Sequence, residues 1–335
     1  MVKGGREVVT RNDVAEYAGV STAVVSYVVN NGPRSVSPQT RDRVLEAIRV
    51  LGYRPNATAR ALKVGSTRTF GLIIPDGGNP LYAELAKAIE KEAAARGYVV
   101  LQTNTDSDPV VEKQKIAELL ARQVDGLILT TPTGEPDTTE LADANVPVVA
   151  LNRPVRGTTS ICAEYRAGAR LAVEHLIGHG HREIGLVIGI EQSDWSPDRE
   201  HGWRDALNAA GLPDGPIERT EFSRQGGYDA GRRLLKATNP PTAVFVSSDL
   251  QAVGLLRAIH EAGCDVPGQL AVMAFDGTAE SEFSWPPLSV VRQPIERIAR
   301  KAVNRLLDET DEPIEAFTYP TELVLRASCG CPEKA

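Results

Sequence analysis

The stretch Asn12-Asp-Val-Ala-Glu-Tyr-Ala-Gly-Val-Ser-Thr-Ala-Val-Val-Ser-Tyr-Val-Val-Asn30 decides how the chain begins. It reads as two short helices joined by a tight turn. Asn12 to Ala18 forms the first, and Gly19-Val20-Ser21 makes the turn. Ser21 is placed to cap a second helix, Thr22 to about Asn30, by offering its hydroxyl oxygen to a free backbone N–H. Ala15 is small where the helices touch, Gly19 tolerates positive φ, and Val25 plugs the shared core. The spacing of four and then six residues matches a helix-turn-helix, a unit that lays its second helix in the DNA major groove. A plain helical bundle with a chance Ala/Gly spacing fits the same residues.

A third helix begins with Ser37 as cap and Pro38 at the first helical position, where a missing N–H costs nothing. It runs to Leu51 with Val44, Leu45, Ile48 and Leu51 on one expected face, and Gly52 supplies the left-handed stop.

Charge is divided along the chain. Residues 1–66 carry ten Lys/Arg and five Asp/Glu, a net of +5, whereas all 335 residues sum to −7, leaving −12 for the remainder. A small basic arm on a large acidic body is compatible with phosphate contact, although a basic face is usually just solvated. With 42% hydrophobic residues the chain can bury sizeable cores, and its length suits two or three domains. No apolar run approaches the roughly 20 residues that span a bilayer. The first residues hold no apolar signal region, and four cysteines at 162, 264, 329 and 331 are not spaced as a disulfide framework. The expected compartment is the cytoplasm, with no membrane partner.

The wording around the helices resembles the LacI/GalR family of regulators. The resemblance is carried by Asp13-Val-Ala-Glu-Tyr-Ala-Gly-Val-Ser21, Val25-Ser-Tyr-Val-Val-Asn30, Val36-Ser-Pro-Gln-Thr-Arg41 and Leu51-Gly-Tyr-Arg-Pro-Asn56, then Ala59-Arg-Ala-Leu62. It implies three parts: residues 1–54 as a helix-turn-helix DNA-binding domain, 55–66 as a hinge helix and linker, and 67–330 as a two-lobed effector-binding and dimerisation core. In that reading Thr22, Ala23, Val24, Ser26, Tyr27 and Asn30 face DNA from the recognition helix. Asn56, Ala59, Arg60 and Leu62 do so from the hinge. About eight residues are too few to hold a helix alone in water, and the resemblance implies that the hinge orders only on DNA, with Leu62 wedged between base pairs. Many relatives carry Thr at the place of Val24 and Arg or His at the place of Tyr27. A single hydroxyl and a ring read bases differently from a guanidinium fork, so the operator cannot be copied from a relative.

Beyond Gly65-Ser66 the pattern alternates strand and amphipathic helix. Expected strands are 70–74, 98–102, 127–129, 148–151, 184–188, 243–246 and 270–275; expected helices are 81–96, 110–122, 166–177, 198–210, 227–235 and 250–262. Such βα alternation implies parallel, doubly wound α/β sheets that bind ligands beyond the carboxyl ends of their strands. The resemblance implies a two-lobed, periplasmic-binding-protein-like core. Carried over position by position, it names Asp76, Tyr82, Asp106, Thr130, Asn152, Arg199, Ser248, Asp249 and Asp276 as effector-binding residues. Arg199 and Asp276 lead that set, because a donor fork and a carboxylate together grip vicinal hydroxyls. Tyr82, Phe283 and Trp285 suit either ring stacking or core packing. The polar set fits a sugar or nucleoside-like effector.

Three histidines, 175, 179 and 181, lie close together, and the first two have metal-ligand spacing. They also match a helix end and strand start in the family, and Cys329-Gly-Cys331 reads as an irregular tail, so no metal site and no cofactor are expected. No nucleophile, base and orienting group stand in a recognisable elbow, so no enzymatic activity is expected. The sequence reads best as an operator-binding transcriptional repressor, dimeric and switched by a small molecule. A sugar-binding carrier, or a sugar or nucleotide enzyme with the same core, is the alternative.

Overall fold

The computed structural model describes residues 9–30, 34–54, 65–130, 146–155, 157–190, 198–308 and 314–331. These fall into two compact units, residues 1–67 and 68–335.

In the first unit three helices form where their caps dictate: α1 Arg11–Ala18, α2 Thr22–Asn30 and α3 Pro38–Leu51. The backbone N–H of Thr10 donates to Asp13 Oδ2 at 2.7 Å and opens α1. Gly19 closes it at φ 64°, where a side chain would be strained. Ser21 Oγ accepts from Val24 N at 3.4 Å, and Ser37 Oγ from Thr40 N at 3.3 Å, as the capping chemistry requires. Val14, Ala15, Ala18, Val25, Val28, Val44, Ala47 and Tyr53 fill the core. The expected apolar face of α3 needs one correction. Leu45 is 47% exposed and Ala47 takes its place, because 44, 47, 48 and 51 line one side while residue 45 sits about 100° away from 44.

The second unit holds two six-stranded sheets. The first runs in the order β11-β5-β4-β3-β1-β2. Its strands are β1 Thr69–Ile74, β2 Val99–Asn104, β3 Gly126–Leu129, β4 Val148–Leu151, β5 Thr159–Ala163 and β11 Ala316–Tyr319. The second runs β12-β10-β9-β8-β6-β7. Its strands are β6 Ile184–Gly189, β7 Ile217–Thr220, β8 Ala243–Val246, β9 Ala271–Asp276, β10 Ser289–Arg292 and β12 Glu322–Val324. Both sheets repeat one doubly wound order, with the switch between β1 and β3 in one lobe and between β6 and β8 in the other. The sheets are parallel as expected apart from one edge, where β12 pairs antiparallel with β10.

The helices of this unit are α4 Pro80–Ala94, α5 Pro109–Ala121, α6 Tyr165–Gly178, α7 Asp198–Ala209, α8 Arg224–Leu235, α9 Asp249–Glu261, α10 Ala279–Phe283 and α11 Ile295–Leu307. The sequence reading passed over α11, although Ile295, Ile298, Ala299, Ala302, Val303 and Leu306 trace a clean buried helical stripe. It also passed over β5, whose Thr159 and Ser160 look turn-like but are buried in the sheet. Because α6 packs on the second sheet and α11 on the first, the chain crosses between lobes three times: from β5 to α6, from β10 to α11, and from β11 to β12. Those crossings set Tyr165 and Gln293 between the lobes. Among the described residues no helix is long and apolar enough to cross a membrane.

Candidate functional site

The site grows from the carboxyl end of β9. Asp276 closes that strand at φ 112°, a conformation that only short polar residues and glycine enter at modest cost. Asp276 is 2% exposed, and its carboxylate accepts from Gln293 Nε2 at 2.8 Å. The Arg199 Nη2 atom, from the first turn of α7, lies 3.6 Å from Asp276 Oδ1. That guanidinium is held between two rings, 4.5 Å from the centroid of Tyr165 and 4.6 Å from that of Phe275. Tyr165 Oη lies 3.3 Å from Asn152 Oδ1 and 3.5 Å from Gln293 Oε1, so its single proton serves one of them at a time. Asn152 follows β4 at φ 70° and also bonds the half-buried Tyr82. Beside them Glu84 of α4 accepts from Ala279 N at 2.8 Å, a bond from one lobe to the other.

Burial governs the electrostatics. It pushes Asp276 up to about 6, with the Arg199 charge opposing the rise. It also lifts Asp249 well above the usual carboxylate range, and the neighbouring Asp276 charge adds to that. Asp249 is nonetheless well tied, since its Oδ2 accepts from Thr278 N at 2.6 Å and from Thr278 Oγ1 at 2.8 Å. Arg199 Nε is buried and has no hydrogen-bond partner among the described residues. Burying such a donor costs on the order of 1–3 kcal/mol unless something bonds it.

The structure therefore joins Tyr82, Asn152, Arg199, Asp249 and Asp276 of the expected effector set, and adds Tyr165, Phe275 and Gln293. The other four stand outside this group. Asp76 Oδ1 accepts from Gly78 N at 2.7 Å in an exposed turn, and Asp106 is an exposed turn residue at φ 52°. Thr130 Oγ1 donates to Ile73 O at 2.8 Å across the first sheet, and Ser248 Oγ caps α9 by accepting from Gln251 N at 3.2 Å. Core packing for Phe283 and Trp285 is corrected: they are 85% and 89% exposed. Tyr165 gave no sequence signal of its own, and Phe275 was absorbed into its strand. Gln293 could have been noticed as a polar residue between a strand and Pro294. A surface hollow of about 400 Å³ is lined by Tyr165 together with Arg166, Arg170, Asp198 and Asp205. Its cations are already paired, Arg166 with Asp205 at 2.6 Å and Arg170 with Glu174 at 2.6 Å, so it lacks the unmet donor found beside Asp276.

On α2, Thr22 and Ala23 are exposed, Val24, Ser26 and Tyr27 are half-buried, and Val25 and Val28 face the core. Asn30 ends the helix, and its side chain lies outside what is described. Asn56, Ala59, Arg60 and Leu62 lie outside the described residues.

Comparison with known proteins finds two family matches: bacterial regulatory proteins of the lacI family over residues 10–56, and a periplasmic binding protein-like domain over residues 173–329. The HTH-type transcriptional repressor PurR of Haemophilus influenzae (strain PittEE) is 33% identical over 330 residues, 95% of this chain and 98% of the relative. Catabolite control protein A of Priestia megaterium is 38% identical over 305 residues, 89% of this chain and 91% of the relative. The crystal structure of the Lac repressor dimer bound to operator and an anti-inducer superposes with a TM-score of 0.84 at 31% identity, covering 96% of this chain and 99% of that one.

Proposed function

The chain belongs to the lacI family of bacterial regulatory proteins, and from that premise we propose that it is a transcriptional repressor whose operator binding is switched by a neutral, polyhydroxylated metabolite held at Arg199 and Asp276. Thr22, Ala23 and Tyr27 read base edges in the major groove, with Val24, Ser26 and Asn30 beside them. Asn56, Ala59, Arg60 and Leu62 serve the minor groove. The protein works as a homodimer assembled through residues 68–335, since one helix-turn-helix reads only a short half-site. It acts on chromosomal DNA in the cytoplasm and not as an enzyme.

One observation carries the effector assignment. Arg199 presents a buried Nε with no hydrogen-bond partner among the described residues, beside the Asp276 carboxylate and between the two lobes. A ligand hydroxyl accepts from the guanidinium while its neighbour donates to the carboxylate, which is the pairing vicinal hydroxyls offer. The two protein charges already offset each other, so a neutral ligand leaves neither unmet. A sugar and the ribose of a nucleoside share this chemistry. The test is a gel shift of genomic fragments with and without candidate sugars and nucleosides. Arg199→Ala keeps operator affinity within about twofold and loses the metabolite response, as loss of a charged hydrogen bond of about 1–3 kcal/mol requires. A wild-type response in that variant places the effector elsewhere.

A further inference from the structure

The cysteines read from sequence as an irregular tail are neither irregular nor remote from the histidines. Residues Ala327–Cys329 form a short 3-10 turn, and Cys329 is 1% exposed. Gly330 follows at φ 93°, a left-handed turn that brings Cys331 back toward the same point. That point is the carboxyl end of α6. His175 Nε2 lies 3.3 Å from Cys329 Sγ and 3.5 Å from Cys331 Sγ, and His179 Nε2 lies 3.4 Å from Cys331 Sγ. All four donor atoms fall within 4.8 Å of one another.

We propose that His175, His179, Cys329 and Cys331 form a structural zinc site that fastens the chain after β12 to the end of α6. Zinc bonded to sulfur at about 2.3 Å and to nitrogen at about 2.0–2.1 Å in a tetrahedron sets each nitrogen–sulfur edge near 3.5 Å. Three nitrogen–sulfur edges, 3.3, 3.5 and 3.4 Å, already have that length. Two thiolates offset the dication, so the closed site is neutral, and soft sulfur with imidazole favours zinc over magnesium or calcium. An outer partner is in place as well. Ser289 Oγ lies 3.0 Å from Cys329 Sγ, positioned to donate to the thiolate once its proton has left. Cys329 belongs to the core packed around α6, so the ion would join the last described residues to the helix that starts at Tyr165 in the effector cleft. The site stands apart from Arg199 and Asp276, and it holds or fails independently of the effector assignment.

The experiment uses the full chain purified anaerobically with reductant. Elemental analysis is expected to give one equivalent of zinc per chain. After chelator treatment, added Co²⁺ is expected to give thiolate-to-metal charge transfer together with the intense visible bands of a four-coordinate tetrahedral ion. His179 is exposed and Cys331 only partly buried, and both substitutions nearly conserve side-chain size, so His179→Gln and Cys331→Ser are expected to fold while losing zinc at least tenfold more readily to a competing chelator. Alkylation of Cys331 in the wild type is expected to slow at least tenfold when zinc is bound. Three results overturn the proposal: wild type that takes up neither zinc nor cobalt, variants that hold metal as tightly as wild type, or a Cys329–Cys331 disulfide in the anaerobic preparation.

Discussion

Replacing Asp276 with Asn should make the effector-free protein more stable and unresponsive to its effector at the same time. The carboxyl is buried and its folded pKa stands at about 6, against 3.8 for the free group. That difference of roughly two units corresponds to about 3 kcal/mol of cost for keeping the group ionised in the folded protein at pH 7.5. The sign follows from linkage. A carboxyl whose folded pKa is raised contributes nothing unfavourable below the unfolded pKa, and its cost grows as pH climbs from about 4 to about 6. Asn keeps the rest of the local design: its Oδ1 still accepts from Gln293 Nε2, and Asn tolerates the positive φ at this position. It also relieves Asp249, whose own carboxyl is raised first by burial and then by the Asp276 charge. Urea unfolding at pH 7.5 should show a gain of about 3 kcal/mol, and at pH 5 about half of that. At ~2–4 °C per kcal/mol for a unit of this size, the melting temperature should rise by roughly 6–12 °C. The same variant should repress without responding to metabolite, since an amide no longer supplies the anionic acceptor. A variant no more stable than wild type at pH 7.5, or a gain that does not shrink at pH 5, refutes the reasoning.

Tyr27→Ala should alter base preference at a symmetric pair of half-site positions by about 1–3 kcal/mol, whereas Leu62→Ala should relax preference at the operator centre; selection from random DNA separates the two, and exchanged phenotypes would reverse the placement. Gly227→Ala should destabilise the second lobe by about 1–3 kcal/mol, because the new Cβ would overlap the Gln251 carbonyl where α8 meets α9; a thermal melt matching wild type would contradict that packing. The chain at micromolar concentration should scatter light as a dimer, and a tetramer would rule out assembly through one core interface.

How much of this was legible beforehand depends on how local each signal is. Ser21, Gly19, Ser37, Pro38 and Gly52 announced the ends of α1 to α3 because capping and left-handed turns are settled within three or four residues. Strand and helix alternation likewise announced the doubly wound lobes, since periodicity is carried by neighbours in sequence. Arg199 and Asp276 were named from resemblance, but nothing along the chain says that residues 77 apart in sequence stand 3.6 Å apart in space. The Tyr165 and Phe275 rings on either side of Arg199, and Gln293 beneath the carboxylate, depend on where the chain crosses between lobes, which only sheet order decides. Thr130 and Ser248 show the converse: named from the same resemblance, they spend their polarity on a strand carbonyl and a helix cap. The strongest case is His175 and Cys331, separated by 156 residues and set 3.5 Å apart. Each alone is an ordinary residue at a helix end or in a tail. Metal-binding geometry is a property of converging side chains, and convergence over that separation is made by tertiary packing.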